Sequence, residues 1–415
     1  MSTVVVSPSN VVTFPEGGGH FWVSMQYIQG FLNHGCEVYW LERFIPSGDE
    51  DRDAYMLGQF SRRMARFGLQ NKTILYTMEF SDSQSTPMIN FINVTESFVN
   101  SVFRRADLLL NFYYAMAPSL LERFNCTALV DIDPGLLQFW IDAGQLSVTK
   151  HDYYLTTGET VGSPSAKFPD CGLPWIHIKP PVSLEYWPFH FDPNYEAFTT
   201  ISSWWGGGGK GEFITDGKGT LYENNKRVTF LQYVNLPRLT SQAIELALNL
   251  GEGDQDEEMG SEVQEQKAES YIPGVTDYIS DAVDRKILLK HGWRLRDAYE
   301  AANSPESYQS YIQASRGEFS CVKPSCLKFQ NAWISDRTIC YLASGKPVVV
   351  QDTGPSNFLP NGEGMFRFST IEEAAESFAV INSDYEKHCK AARQIAESYF
   401  DAKKITAKIL DCCQP

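Results

Sequence analysis

Hydrophobic and polar positions alternate along the first part of the chain in the repeating pattern of a layered α/β protein. The apolar run at residues 4–6 predicts a strand, and residues 21–33 place apolar side chains on one face of a helix. Residues 37–41 then predict a second strand. A strand, a helix and a second strand in this order predict parallel pairing with a right-handed crossover.

The alternation continues through the first half of the chain. Further strands are predicted at residues 73–78, 107–111, 127–131 and 153–157, separated by helices at 52–67, in the second half of 89–103, and at 118–124 and 138–143. A loop rich in proline and aromatic residues follows from 180 to 193. We place a domain boundary in this loop, so that residues 1–190 form an N-terminal Rossmann-like domain.

A second α/β unit is predicted over residues 191–384. Its pattern indicates strands at 198–203 and 227–234 and helices at 241–250, 304–315 and 370–382. Residues 251–270 are acidic and poor in large apolar side chains, so we expect a disordered insertion there. Residues 385–408 predict a long amphipathic helix, and we expect residues 385–415 to pack back toward the N-terminal domain.

The most informative local pattern lies between residues 332 and 354. Ser335 is suited to cap a helix that begins at Asp336, Gly345 is placed to end it, and Pro347 prevents its continuation. Three consecutive valines then predict a buried strand. Because ligands of open α/β sheets bind at the carboxyl ends of the strands, the polar residues after this strand are predicted to lie at a binding edge.

Composition narrows the classes of function. The formal net charge of −16 argues against a general nucleic-acid binder and against attachment to anionic lipid. No apolar run approaches the ~20 residues of a membrane helix, and the N-terminal residues lack the features of a signal peptide. The nine cysteines are scattered, without a C-x-x-C pair, which favours reduced thiols in a cytoplasmic protein without a zinc site.

The segments SRGEF (315–319), WISDRTICYLASGKPVVVQDTG (333–354) and LPNGEG (359–364) resemble glycosyltransferases of the GT-B type, in particular a bacterial, group 1-like subgroup. The resemblance covers nearly the whole chain. It implies two Rossmann-like domains facing across a cleft, with residues 1–190 binding the acceptor, residues 191–384 binding the nucleotide-sugar, and a long C-terminal helix. It also implies an enzyme of the EC 2.4 class that uses a nucleoside-diphosphate sugar as donor and needs no metal or other cofactor.

The resemblance assigns donor-binding residues mainly to the C-terminal domain. The start of the helix at Ser335, Asp336 and Arg337 is expected to hold the diphosphate through backbone N–H groups and the guanidinium. Cys340 stands where many members have a ribose-binding glutamate, so Glu318 is the candidate for that contact. The remaining candidates are Gln351 and Asp352 for the hydroxyls of the donor sugar, and Lys210, in the Gly-rich loop after Trp205, for the leaving diphosphate.

The N-terminal Gly-His loop resembles the loop that carries the general base in many members of the family. His20 is therefore the candidate base, because imidazole titrates near neutral pH and can accept a proton from an acceptor hydroxyl. Gly18 and Gly19 are expected to let the backbone approach the substrate. The candidates for the group that orients His20 are Asn111 and Asp133, and Asp131 is a further alternative.

Other functions remain open at this stage. A nucleotide-sugar epimerase or a phosphorylase would use the same two-domain frame, and so would a non-catalytic nucleotide-sugar binding protein. An NAD-dependent oxidoreductase is less favoured because GGGHFW lacks the third glycine of the dinucleotide motif. The expected partners are a nucleotide-sugar donor and a small-molecule or saccharide acceptor, with neither nucleic acid nor membrane insertion, and a homodimer is left open.

Overall fold

A computed structural model describes residues 2–79, 87–206, 212–215, 221–250 and 281–414. The chain forms two compact units. The first contains Met1–Tyr186, Trp333–Asp336 and Tyr399–Pro415, and the second contains Trp187–Ala332 and Arg337–Ser398. Lys210 and the predicted insertion at 251–270 lie outside the described residues.

The first unit is built on an eight-stranded sheet. Its strands are β1 (Thr3–Ser7), β2 (Glu37–Arg43), β3 (Thr73–Glu79), β4 (Met88–Ile92), β5 (Leu108–Asn111), β6 (Thr127–Asp131), β7 (Tyr153–Thr156) and β8 (Trp175–His177). Their order is β4-β3-β2-β1-β5-β6-β7-β8, and only the β3–β4 pair is antiparallel. The chain winds outward from β1 in both directions, so β1 and β5 define the point where the strand order reverses.

Helices connect these strands. They are α1 (Gly18–Leu32), α2 (Glu50–Arg66), α3 (Glu96–Arg105), α4 (Pro118–Leu121) and α5 (Leu136–Asp142). All five residues of β1 are buried, as expected for a central parallel strand covered by helices on both faces. This arrangement places the loop between β1 and α1 at the carboxyl edge of the sheet.

The second unit has a six-stranded parallel sheet and a separate hairpin. Its strands are β9 (Ala197–Ser202), β10 (Phe213–Thr215), β11 (Leu221–Glu223), β12 (Ala243–Leu248), β13 (Arg294–Asp297), β14 (Gly317–Ser320), β15 (Val348–Gln351) and β16 (Met365–Phe368). The sheet order is β13-β12-β9-β14-β15-β16, and β10 and β11 form the hairpin. This is the doubly wound order of nucleotide-binding domains, with the reversal between β9 and β14.

The helices after the first sheet complete the two units. They are α6 (Lys226–Gln232), α7 (Leu236–Leu239), α8 (Asp281–Lys290), α9 (Ala298–Ala302), α10 (Pro305–Gln313), α11 (Pro324–Phe329), α12 (Asp336–Ala343), α13 (Ile371–Ser383), α14 (Tyr385–Ile395) and α15 (Ala402–Cys412). As predicted, α12 begins at Asp336, Gly345 follows it with φ of +72°, and β15 begins after Pro347. In the first unit α15 packs on α1, where a Cβ added to Gly30 would lie 2.6 Å from the Ala402 carbonyl.

Three predicted elements were wrong. The strand predicted at 227–234 is helix α6, and the helix predicted at 241–250 is strand β12. The long helix predicted at 385–408 is α14 and α15, separated by a π-helical turn at Ala396–Phe400. No helix of the described residues is long and apolar enough to cross a membrane.

Candidate functional site

The carboxyl edge of the second sheet carries a buried cation. Arg337, on the first turn of α12, donates from Nη1 to the Ile201 carbonyl at 2.8 Å and from Nε to Glu318 Oε1 at 2.7 Å. Its Nη2 donates to Ser320 Oγ at 2.5 Å. These acceptors lie on β9 and β14, so the guanidinium spans the two strands between which the sheet order reverses. Burial lowers the pKa of Arg337, but the interactions with Glu318, Tyr308 and Tyr341 together outweigh that effect and raise it.

A second cation lies beside this pair. Lys226 begins α6, and its ammonium forms no hydrogen bond or ion pair with any residue that the structure describes. Burial lowers its pKa to about 7, and the charges of Arg337 and Lys323 add to the effect. Cys326 and Glu318 act in the opposite direction, but less strongly. Because like charges repel, this group of cations is suited to an anion that would lie among them.

Two asparagines organise the chain next to Lys226. The Oδ1 atom of Asn225 accepts from the backbone N–H of Gly206 at 2.8 Å and of Glu212 at 3.0 Å. Glu212 in turn pairs with Lys323, with 2.6 Å between Oε2 and Nζ. Asn224 accepts from the backbone N–H of Ser325 at 2.8 Å. The residues that flank the Gly-rich segment are therefore fixed to the start of α6.

Three predicted donor ligands are occupied by contacts within the protein. Glu318 is completely buried, and its Oε1 pairs with Arg337 at 2.7 Å. Gln351 is buried and accepts from the Val322 backbone N–H at 3.1 Å. Asp352 pairs with Arg367 at 2.5 Å and accepts from the Gly354 N–H at 2.8 Å. These side chains shape the edge of the sheet.

The residues at the start of α12 are half-buried. Ser335 precedes the helix, and Asp336 is its first residue. Asp336 belongs to the first unit by its contacts, and its charge adds to burial in raising the pKa of Tyr27 on α1. Both Ser335 and Asp336 interact with neighbouring groups.

The candidate base lies in the first unit, on the first turn of α1. His20 Nε2 is 2.6 Å from the Ser9 carbonyl. Because a carbonyl only accepts hydrogen bonds, Nε2 carries the proton of the neutral ring, and Nδ1 keeps its lone pair. Surrounding protein atoms lower the pKa of His20, whereas the Ser9 hydrogen bond and the charge of Asp133 raise it less strongly. The residue is exposed, and the unprotonated Nδ1 is the ring nitrogen suited to accept a proton.

His20 was predicted to be oriented by a side chain at the end of a strand, but its Nε2 bonds to the Ser9 backbone carbonyl. Asn111 contacts His151, with 3.0 Å between Nδ2 and Nε2, and does not orient His20. Asp131 is completely buried and accepts from Gln138 and Thr156. Burial raises the pKa of Asp131 to about 7. Asp133 acts on His20 through its charge.

The predicted glycines of the first unit begin a helix. Gly18 and Gly19 form the first turn of α1, and Gly17 precedes it. A Cβ added to Gly17 would lie 2.3 Å from Cδ1 of Phe14. The glycine run therefore lets the loop pack closely where it turns into the helix that carries His20.

No family model and no curated protein matches the chain. Solved structures match over almost its full length. An alpha-glucosyltransferase in complex with UDP-glucose and DNA containing an abasic site has a TM-score of 0.56 at 10% identity, covering 99% of this chain and 98% of that chain. HepE from Anabaena in complex with UDP-glucose has a TM-score of 0.56 at 11% identity, covering 99% of each chain. A glycosyltransferase from Rickettsia africae has a TM-score of 0.51 at 10% identity, covering 99% of this chain and 97% of that chain.

These structures have the GT-B architecture, and the likeness confirms the predicted fold of two Rossmann-like domains with a C-terminal helix. The similarity lies in the fold, since identity to these solved structures is only 10–11%. The assignment of function therefore depends on the site residues described above.

Proposed function

We propose that this protein is a glycosyltransferase that moves a sugar from a nucleoside-diphosphate sugar to a small-molecule or saccharide acceptor. The observation that carries the proposal is the Lys226 ammonium, which lies beside Arg337 at the strand-order reversal of the second sheet and pairs with no carboxylate of the described residues. A diphosphate at this edge would supply the missing negative charge. Ligands of doubly wound sheets bind at this kind of edge.

The proposed reaction uses the residues of the two units in separate roles. The acceptor oxygen attacks C1 of the donor sugar, and the bond between C1 and the diphosphate oxygen breaks. The proton of the acceptor hydroxyl passes to Nδ1 of His20, which is the ring nitrogen left without a proton by the Ser9 hydrogen bond. The nucleoside diphosphate leaves with the electron pair of the broken bond.

The leaving group would be stabilised by positive charge supplied by the protein. Lys226 would contact the diphosphate directly, and the backbone N–H groups at the start of α12 near Ser335 and Asp336 would add hydrogen bonds. Arg337 would support the edge from below, because its guanidinium nitrogens already donate to Glu318, Ser320 and the Ile201 carbonyl and its charge is balanced by Glu318. We therefore propose a reaction without a metal ion, and we assign Glu318 to holding Arg337.

UDP-glucose is the first donor to test, because an alpha-glucosyltransferase and HepE, both of this fold, were crystallised with it. One of these neighbours also holds DNA. The net charge of −16 disfavours a polyanionic acceptor for this chain, and we therefore propose a small molecule or a saccharide.

Binding and catalysis can be tested separately. Calorimetry with UDP-glucose should show binding to the unmodified protein and much weaker binding to Lys226→Met. The control Lys286→Met removes the same charge from the exposed face of α8 in the same unit and should bind normally. Binding equal in the two variants, or binding of NAD in place of any nucleotide-sugar, would contradict the proposal.

Transfer is measured next, as UDP release from UDP-glucose in the presence of a panel of saccharides and phenols. His20→Ala should retain donor binding and lose at least about 100-fold in rate, the usual contribution of a general base. Donor binding without turnover by the unmodified protein would instead favour a non-catalytic nucleotide-sugar binding protein.

A further inference from the structure

A carboxylate in the interior of the first unit accepts hydrogen bonds from three N–H groups of the described residues. Glu42, on β2, is completely buried. Its Oε1 accepts from the backbone N–H groups of Val11 at 2.5 Å and Val12 at 3.0 Å, and its Oε2 accepts from Trp40 Nε1 at 2.8 Å. No lysine or arginine of the described residues bonds to it.

The two backbone donors belong to the loop between β1 and α1. Ser9, in the same loop, supplies the carbonyl that accepts from His20 Nε2 at 2.6 Å. Asn10, between Ser9 and Val11, has φ of +59°, so the chain turns sharply at that residue. The position of the Ser9 carbonyl therefore depends on where Val11 and Val12 are held.

Burial of the ionised Glu42 carboxylate costs free energy of folding. Burial raises the pKa of Glu42 to about 7, against the hydrogen bonds from Val12, Trp40 and Val11, which lower it. An apolar side chain would avoid the cost of burying the carboxylate but would leave two backbone N–H groups without acceptors. Hydrogen bonds to an ionised carboxylate are stronger than those to a neutral carbonyl, so the charge is suited to fixing the loop.

The loop has a second attachment on its outer side. Glu16 pairs with Arg52 of α2 through two hydrogen bonds of 2.8 and 3.0 Å. This pair is partly exposed and lies after Phe14, on the far side of Val12 from Ser9. The segment that contains Ser9 is held instead through Val11 and Val12, whose side chains are buried and whose backbone N–H groups donate to Glu42.

We infer that Glu42 is a positioning residue for His20: it holds the β1–α1 loop so that the Ser9 carbonyl selects the Nε2–H tautomer and leaves the Nδ1 lone pair available. The catalytic importance of this arrangement rests on the proposed function of His20. The selection of the tautomer does not, and it can be observed without turnover.

The test is ¹⁵N NMR of the full chain labelled at histidine, with the His20 signals identified by their loss in His20→Ala. In the unmodified protein, Nε2 should be protonated and Nδ1 bare. Glu42→Ala should give a mixture of both tautomers, because the loop loses its inner attachment. Glu42→Gln should stay close to the unmodified protein, since the amide oxygen can still accept from both backbone N–H groups.

Trp40→Phe is the matched control. It removes the third hydrogen bond of Glu42 and perturbs the same region of the core but leaves both loop hydrogen bonds in place. His20 should keep its Nε2–H tautomer in this variant. A tautomer mixture in Trp40→Phe as large as in Glu42→Ala would mean that general loosening of the core is responsible, and would overturn the inference.

An unchanged Nε2–H tautomer in folded Glu42→Ala would also overturn it. If that variant does not fold, Glu42→Asp replaces it, because the shorter side chain keeps the charge but withdraws the carboxylate from the loop. An unchanged Nε2–H tautomer in Glu42→Asp would overturn the inference in the same way. In the transfer assay, Glu42→Ala should lower kcat by about 10-fold, a fraction of the contribution of a general base, with little change in the donor KM.

The two hypotheses fail in different ways. If His20→Ala transfers normally while Glu42→Ala shifts the tautomer, the catalytic role of His20 is wrong and the positioning role stands. If His20→Ala loses activity while the tautomer in the Glu42 variants is unchanged, the positioning role is wrong and the proposed function stands.

Discussion

Replacing Lys226 by methionine tests the donor site most directly. Methionine keeps much of the apolar stem of the side chain but removes the ammonium that lies beside Arg337. A hydrogen bond to a charged group contributes roughly 1.5–3 kcal/mol. We therefore expect Lys226→Met to weaken UDP-glucose binding by about 10- to 150-fold.

The role of Lys226 also predicts how the affinity for UDP-glucose changes with pH. The pKa of Lys226 is lowered to about 7, so the side chain is mostly neutral above that pH. A diphosphate favours the charged form and raises the pKa, and so binding above pH 7 takes up a proton. Affinity for UDP-glucose should then fall by up to roughly 10-fold per pH unit from pH 7 upward, until the pKa of the complex is reached. Below pH 6 it should be nearly constant.

The assay is calorimetry at pH 8 in two buffers of different ionisation enthalpy. The difference between the observed heats gives the number of protons taken up. The unmodified protein and Lys286→Met should both take up a large fraction of one proton, whereas Lys226→Met should take up almost none. Lys226→Arg should bind UDP-glucose with an affinity that no longer depends on pH, because arginine stays charged throughout this range.

The reasoning would be refuted by a Lys226→Met variant with unchanged affinity, or by proton uptake that persists in it. Either result would mean that the diphosphate lies elsewhere. A third result is possible, in which Lys226→Met loses affinity but the unmodified protein takes up no proton on binding. The contact between Lys226 and the diphosphate would then stand, but the pKa of Lys226 would not be lowered in the free protein.

Two further predictions concern stability. Arg337→Met should lower the free energy of unfolding by about 3–5 kcal/mol because it leaves the completely buried Glu318 unpaired, and the double variant with Glu318→Met should recover much of that loss in urea denaturation. Gly364→Ala should destabilise the protein more than Gly35→Ala, by at least about 1 kcal/mol. Both glycines have φ near +72°, so the backbone strain of the substitution is similar. A Cβ at Gly364 would lie 2.4 Å from the Ala392 backbone nitrogen, whereas a Cβ at Gly35 would meet nothing within 4 Å. Equal midpoint shifts would contradict this reading of the contacts.

Local signals made the segment around α12 predictable from sequence. Asp336 begins the helix, Gly345 takes the left-handed conformation after it, and the valines before Gln351 are all buried in β15. Each of these features depends on neighbouring residues along the chain. The fold could therefore be inferred wherever such signals recur.

The wrong elements are those whose conformation depends on distant partners. In α6, Arg227 pairs with Asp284 and Thr229 donates to the Val322 carbonyl, so polar residues are buried and the helical pattern is lost. In β12, helix-forming residues are overridden because the strand pairs with β9 on one side and β13 on the other.

The candidate site shows the same limit. The resemblance identified Arg337, but its pairing with Glu318 joins a helix to a strand and cannot be read from either segment. Lys226 was missed because its importance comes from its neighbours, and nothing in the sequence NNKRVTF distinguishes it from a solvated lysine. Ser9 was missed because it acts through its backbone carbonyl, which every residue type possesses.

The two candidate centres use buried charge in different ways. In the second unit the opposite charges of Arg337 and Glu318 cancel, so the net positive charge at the sheet edge comes from the lysines, and Lys323 is itself paired with Glu212. In the first unit Glu42 is held by N–H dipoles and His20 is kept neutral. A localised cation attracts a compact diphosphate at short range. The chain's net charge of −16 disfavours extended polyanions, because it acts over a Debye length of roughly 10 Å. A donor site requires such a cation, and a general base requires the neutral imidazole that the first unit provides.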